Sequence, residues 1–177
     1  EVCLPNDREI LDATPLYSSL FFQSGRFARV RSYDAFGAFG CRASLAFDAD
    51  ETWFSEYQPQ PLMLGDAGVR DASLHALQVC IPYRTLVPVA MRRLVRGPKQ
   101  LDRQSGIVTL TAVEREQKGD NFTYDLELRD CMGELIERCE GLVLVSLSQM
   151  QDRPLPTVLV PCVLERAAAA CLPMPPH

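Results

Sequence analysis

The chain has 177 residues, of which 47% are hydrophobic, and a formal net charge of -5. This length suits one domain with its own core and is too short for two domains of ordinary size. The acidic balance argues against general nucleic-acid binding, which needs clustered Lys and Arg facing phosphates. No apolar run approaches the roughly 18 residues of a membrane span, and the start EVCLPNDREILD lacks an export signal. We therefore expect a soluble cytoplasmic protein without nucleic-acid or membrane partners.

Seven cysteines occur without a CxxC pair, and most of them sit among apolar residues. This pattern predicts small buried side chains in a reducing compartment rather than a disulfide framework or a zinc site. The two histidines are His75 and His177, and the second is the last residue. A histidine-based metal site is therefore not expected.

The sequence divides into a leader or linker at residues 1–15, a domain at 16–150 and a C-terminal segment at 151–177. Within the domain, residues 16–23 predict a turn of helix that leads into a strand. From Gly25 onward, apolar and polar residues alternate and the pattern breaks near Tyr33 and Asp34, which predicts two antiparallel strands joined by a turn. In the C-terminal segment, LERAAAAC has strong helix propensity and precedes the proline-rich LPMPPH, so we expect a terminal helix or an exit linker.

Residues 64–82, LGDAGVRDASLHALQVCIP, predict one long and largely apolar helix. Asp66 is a candidate N-cap, and the proline at position 82 ends the segment. Asp71, His75 and Gln78 are spaced by four and three residues, so on a helix they share one face. The opposite side is apolar, as expected for a helix wrapped by other structure; it carries Val69, Ala72, Ala76, Val79 and Cys80.

Four further strand-like runs follow, with short turns at KGDN and CMG between the last three, which predicts an antiparallel meander. Two strands, one apolar helix and four strands are most simply arranged as an antiparallel sheet curled around the helix. This α+β arrangement is the outline of the hotdog fold. Basic residues gather near the end of the first of the four strands and indicate a solvated strand end or a local docking patch; they are Arg92, Arg93, Arg96 and Lys99.

Asp71 is the first candidate for chemistry. Its position near the helix start favours the carboxylate, whereas burial among apolar side chains favours the neutral acid that a general acid requires. The alternative is a capping or salt-bridged aspartate. His75 lies one turn further and can orient Asp71, or it is a hydrogen-bonded core histidine. Tyr17 is a further hydroxyl donor if its segment folds over the helix, and otherwise a core tyrosine, while Gln78 extends the polar stripe or faces a sheet edge.

Two stretches resemble polyketide synthase dehydratase domains. DAGVRDASLHALQ at residues 66–78 is similar to the family's Asp-x-x-x-Gln or Asp-x-x-x-His motif on the central helix of the second hotdog. LYSSLFFQSGRF at residues 16–27 resembles the Tyr-Gly-Pro-x-Phe segment that opens this second hotdog. The stretches LFFQSGRF at residues 20–27 and LMLGDAGVRDASLHALQVCIP at residues 62–82 are most similar to iterative enediyne-type synthases, and the resemblance spans about residues 15–170.

The resemblance implies that Asp71 is the catalytic acid, that His75 positions it and that Tyr17 lines the same pocket. The family removes water from a β-hydroxyacyl thioester on the phosphopantetheine of acyl carrier protein, with no cofactor in the domain itself. Its general base is a histidine of the first hotdog, in a His-x-x-x-Gly-x-x-x-x-Pro motif. No histidine precedes position 75 here, so the resemblance implies the C-terminal half of a double hotdog.

One departure concerns the tyrosine segment, because Ser18 and Ser19 replace the usual Gly-Pro. Two other functions fit the same residues: a hotdog thioesterase, in which Asp71 activates water, and a noncatalytic hotdog that binds acyl chains or scaffolds partners. Without its partner half the fragment leaves a long strand edge exposed, so we expect self-association, with a homodimer as the expected assembly.

Overall fold

The computed structural model describes residues 10–47, 53, 66–98, 106–149 and 154–171. Seven antiparallel strands form one sheet in the order β1-β2-β3-β5-β6-β7-β4. The strands are β1 Leu11–Asp12, β2 Val30–Gly37, β3 Gly40–Ala46, β4 Arg84–Arg96, β5 Ile107–Lys118, β6 Asn121–Arg129 and β7 Leu135–Gln149. The α-helices are α1 Leu16–Ser19, α2 Ala67–His75 and α3 Val160–Cys171, and 3-10 helices cover Gly25–Phe27, Ala76–Cys80 and Thr157–Leu159. None of these helices is long and apolar enough to cross a membrane.

The predicted α+β hotdog is confirmed, and β2, β3, the central helix and the strands β4 to β7 follow in the predicted order; β1 is a further strand before the helix that the sequence analysis did not predict. The strands alternate between buried and partly exposed positions because successive side chains point to opposite faces of the sheet. The buried side chains of β6 belong to the hydrophobic core, which also contains Val69 and Ala72 of α2; they are Phe122, Tyr124, Leu126 and Leu128. β1 adds a short strand to the edge of β2, and the adjacent Ala13 is fully buried.

The central helix is shorter than the sequence predicts. Asp66 is its N-cap, as expected, because its Oδ1 accepts a hydrogen bond from the Val69 amide at 2.7 Å. The α-helix ends at His75, and the chain tightens into a 3-10 helix that ends at Cys80. Apolar periodicity continues through this change, since every residue from Ala76 to Cys80 is buried, and the sequence pattern alone therefore predicts one continuous helix.

The predicted break near Tyr33 and Asp34 is wrong as a turn. β2 continues to Gly37 and pairs with β3 from Gly40, and the register of the two strands shifts between Tyr33 and Ala35. A β-bulge of this kind inserts one extra residue and interrupts the alternation without ending the strand.

The C-terminal helix α3 packs onto the end of the β2–β3 hairpin. Two consecutive side chains hold one residue of the hairpin turn: Glu165 Oε2 accepts the Ala38 amide hydrogen at 2.8 Å, and Arg166 donates to the Ala38 carbonyl. Leu159 and Cys162 are fully buried beneath them. Of the two alternatives that the sequence left for this segment, the structure shows a helix.

Four of the six described cysteines are buried, in keeping with the predicted role as small apolar side chains. Cys131 and Cys171 are exposed.

Candidate active site

Three side chains form a hydrogen-bonded row on the exposed flank of α2. His75 Nδ1 lies 3.1 Å from Asp71 Oδ2, and His75 Nε2 lies 3.2 Å from the Tyr17 hydroxyl. Asp71 and His75 come from successive turns of α2, where a spacing of four residues places side chains on one face. Tyr17 comes from α1, so the structure brings the three predicted site residues together.

A hydrogen bond from Val30 and a ring contact with Phe21 hold Tyr17 in position. The Val30 amide at the start of β2 donates a 2.8 Å hydrogen bond to the Tyr17 hydroxyl oxygen. Phe21 packs edge-on against the rings of Tyr17 and His75, with both pairs of ring centroids 5.0 Å apart. The replacement of Gly-Pro by two serines leaves this segment helical, because Ser18 and Ser19 both donate to the Pro15 carbonyl.

The hydrogen bonds of the row allow one consistent set of donors. Burial raises the pKa of Tyr17 to about 12, although the hydrogen bond from Val30 opposes this effect. Tyr17 therefore keeps its proton at neutral pH, and its O–H can donate to His75 Nε2. In that arrangement the ring of His75 carries a hydrogen on Nδ1, which it can donate to Asp71 Oδ2.

Asp71 is less buried than its apolar neighbours suggest. Its side chain is 38% exposed, whereas that of His75 is 6% exposed. The carboxylate thus stands at the boundary between the buried imidazole and the open side of the domain. Only Oδ2 lies within hydrogen-bond distance of His75, and Asp71 also lines a pocket.

An apolar pocket of about 70 Å³ opens beside this row. Its polar lining residues are Gln23, Asp71, His75 and Gln78, and its apolar lining is formed by Leu20, Phe21, Phe22, Leu74, Leu86, Pro88 and Leu144. Small-molecule sites usually enclose about 300–1,000 Å³. The pocket that the described residues form is therefore part of a site rather than a whole one. Among the residues that the structure describes, no three His, Cys, Asp or Glu side chains are placed to hold a metal ion.

Gln78 lines the pocket but has a structural role. Its Nε2 donates to the carbonyls of Ile81, at 2.9 Å, and Arg84, while its Oε1 accepts the Leu86 amide hydrogen at 3.1 Å. These bonds join the end of the 3-10 helix to the start of β4. Of the two interpretations of Gln78, the structure supports the one that places it against the sheet edge.

The start of α2 is held by a residue that the sequence did not single out. Trp53 Nε1 donates to Asp66 Oδ2 at 3.1 Å, and the indole ring lies below the Arg26 guanidinium at 5.2 Å. Gly68 allows this close packing, because a Cβ atom there would lie 2.9 Å from the Arg26 carbonyl oxygen. The cluster ties the helix that carries Asp71 to the segment that follows Tyr17. In the sequence, the only indication of this cluster is a single tryptophan in a polar stretch.

Comparison with known families gives one match over most of the chain. The model of the family described as "Polyketide synthase dehydratase N-terminal domain" matches residues 4–154. No curated protein matches the sequence.

Solved structures of dehydratase domains share the fold. One is the dehydratase domain from the CurJ module of curacin polyketide synthase, with a TM-score of 0.61 and 12% identity over 88% of this chain and 52% of that chain. Another is the bifunctional dehydratase-cyclase domain in ambruticin biosynthesis, with a TM-score of 0.59 and 17% identity over 81% of this chain and 49% of that chain. This chain thus spans about half the length of the dehydratase chains that it matches.

Proposed function

Because the chain belongs to the polyketide synthase dehydratase family, we propose that it is the C-terminal hotdog of such a dehydratase and supplies its catalytic acid. The substrate is a β-hydroxyacyl thioester on the phosphopantetheine arm of acyl carrier protein, and the product is the α,β-unsaturated thioester. The single observation that carries the proposal is the row from Asp71 through His75 to Tyr17, in which Asp71 and His75 line an apolar pocket.

In the proposed reaction a base on the other hotdog removes the α-proton. The electron pair of that C–H bond forms the C=C bond, the C–O bond to the β-hydroxyl breaks, and Asp71 gives its proton to the departing oxygen to make water. Asp71 has the geometry for this step because Oδ2 accepts from His75 and Oδ1 is left to carry the proton. Closure of the pocket by substrate and partner half would exclude water, which favours the neutral carboxylic acid.

The assignment to the C-terminal half is our own, since the matching family is described by its N-terminal domain. It rests on the position of the acid on the central helix and on the absence of any histidine before His75 in the sequence. Assignment to the enediyne-type subclass rests only on the similarity of residues 20–27 and 62–82 to the sequences of that subclass. A histidine motif in the hotdog encoded next to this chain would support the first assignment.

The partner half has a candidate place on the sheet. β4 is a 13-residue strand at the sheet edge, and its outward side chains include Val89 at 57% and Met91 at 39% exposure. A long edge of this kind offers unpaired backbone groups to another strand. We propose that the histidine-bearing hotdog pairs here, and we expect the isolated chain to form homodimers through the same edge. A clean monomer in concentrated solution by sedimentation velocity would contradict this expectation.

The decisive experiment measures dehydration of a β-hydroxyacyl carrier protein by the two-hotdog enzyme carrying Asp71→Asn. Loss of general acid catalysis typically lowers the rate about 10²–10⁴-fold, and we expect kcat to fall in this range while folding is retained. Asp34→Asn is the matched control, because its side chain is 36% exposed and is ion-paired to Arg42 away from the pocket. This control should keep the full rate.

Retention of activity in Asp71→Asn would rule out the acid assignment. The thioesterase alternative is tested in parallel with this chain alone. Release of free thiol from an acyl thioester, lost on Asp71→Asn, would favour hydrolysis over dehydration.

A further inference from the structure

Two residues of β4, Leu86 and Pro88, line the candidate active-site pocket, and we call them the β4 wall. β4 lies at the edge of the sheet, where it pairs with β7. The register of this pair shifts between Thr85 and Leu86 and again between Pro88 and Ala90. Proline also has no amide hydrogen to give to the ladder. The strand pairing is therefore irregular on both sides of the two residues that face the pocket.

Gln78 holds the β4 wall from the side of the central helix. It is 7% exposed, and its Nε2 donates to the Ile81 carbonyl at 2.9 Å and to the Arg84 carbonyl. Its Oε1 accepts the amide hydrogen of Leu86 at 3.1 Å. A primary amide can serve donors and acceptors at once. One side chain thus joins the 3-10 helix to the turn that precedes β4 and to the first residue of the β4 wall.

The spacing between the walls decides how well an apolar chain packs in the pocket. Leu86 and Pro88 are two residues apart, so they point to the same face of the strand. Leu144 of β7 pairs with Pro88 and lines the same pocket. Dispersion attraction falls steeply with distance, and a gap of about 0.5–1 Å loses a quarter to a half of it. A β4 wall that moves away from the 3-10 helix would therefore gain little from each methylene group of a bound chain.

We propose that Gln78 is a positioning residue, which holds the β4 wall against the 3-10 helix and thereby sets the affinity of the pocket for an acyl chain. The inference rests on the proposed binding of an acyl thioester in this pocket. It separates two roles on neighbouring turns of the central segment. Asp71 acts on the C–O bond that breaks, whereas Gln78 determines the gain in affinity with chain length.

The test measures the binding of butyryl and hexanoyl pantetheine to the two-hotdog enzyme by isothermal titration calorimetry. Neither compound has a β-hydroxyl, so neither can be dehydrated during the measurement. Burial of one methylene group increases affinity about fourfold, and we expect the wild type to bind hexanoyl pantetheine about tenfold more tightly than butyryl pantetheine. In Gln78→Met and in Gln78→Glu this ratio should fall below about threefold, because the β4 wall is no longer held.

The two variants change the polarity of the pocket in opposite directions, but both remove the donor to Ile81 and Arg84. Agreement between them therefore assigns the effect to the hydrogen bonds. Gln117→Met is the matched control, because Gln117 donates to the Gly119 carbonyl at 3.2 Å and accepts from Arg166 at 2.9 Å outside this pocket. This control should keep the wild-type ratio.

A full ratio in either Gln78 variant would overturn the inference, so one folded variant is enough to test it. A wild-type ratio near one would also overturn it, because the pocket would then not enclose the acyl chain. Failure of the dehydratase proposal is a different result, since that proposal is judged by the turnover of Asp71→Asn with a β-hydroxyacyl carrier protein.

Discussion

Two clusters in this protein combine a tyrosine, a carboxylate and a basic side chain, and they differ in exposure. In the pocket row, Asp71 is 38% exposed and is bonded to His75 through one carboxylate oxygen. In the second cluster, which we call the C-terminal cluster and which consists of Glu114, Tyr124 and Arg166, the side chains of the ion pair are 6% and 5% exposed. The comparison contrasts a carboxylate that water reaches with an ion pair that is almost completely buried.

The C-terminal cluster is almost completely paired. Arg166 donates to both oxygens of Glu114 at 3.1 and 2.6 Å and to Gln117 Oε1 at 2.9 Å, and Tyr124 donates to Glu114 Oε2 at 2.6 Å. Phe39 and Phe122 flank the guanidinium, with ring centroids at 4.8 and 5.4 Å. Its Nε is the one guanidinium nitrogen that lacks a partner in the described residues. Such a cluster holds α3 on the sheet.

The largest effect is expected from Arg166→Met. Removing one partner of a buried ion pair leaves an uncompensated charge and typically costs about 3–5 kcal/mol. We expect a loss of this size in the free energy of unfolding, measured by urea denaturation. Dehydration per folded molecule should be unchanged, because Arg166 lies away from the pocket row.

The triple variant Arg166→Met, Glu114→Leu and Tyr124→Phe provides the control. Replacing a whole buried ionic cluster with apolar side chains is often neutral, so it should regain most of the lost stability. If Arg166→Met alone cost under about 1 kcal/mol, the C-terminal cluster would not anchor α3 as we infer.

A smaller effect on stability is expected when the pocket row is broken. Asp71→Asn removes a carboxylate that water already reaches, and a partly exposed side-chain pair of this kind contributes about 0.2–1 kcal/mol. We expect urea denaturation to show a loss of no more than about 1 kcal/mol in the variant whose dehydration activity collapses. A loss as large as that of Arg166→Met would mean that Asp71 has a structural role and that the two clusters are equivalent.

The sequence predicts the fold better than it predicts the site. Strand alternation and apolar periodicity report burial directly, so the order of elements and the Asp66 cap follow from them. The spacing of Asp71 and His75 places them together because both lie on one helix, whereas Tyr17 joins them only through a contact between α1 and α2 that no local pattern encodes.

The smallest expected effect concerns Tyr17 and the alkaline limb of stability. The pKa of Tyr17 is raised from 10.0 to about 12 by burial, so the folded protein holds the phenol proton more tightly than the unfolded chain does. Its contribution to stability is complete below about pH 10 and is lost as the pH rises towards 12.

Tyr17→Phe has no such proton, and the difference in unfolding free energy between wild type and variant should therefore shrink over this range. This difference in unfolding free energy cannot change by more than about 1.4 kcal/mol per pH unit, and solvent contact of the partly buried ring makes the change smaller. Urea denaturation of both proteins between pH 8 and 11 measures the difference, and a difference that is constant across pH 10–11 would show that Tyr17 is solvated rather than held in the row by Val30 and His75.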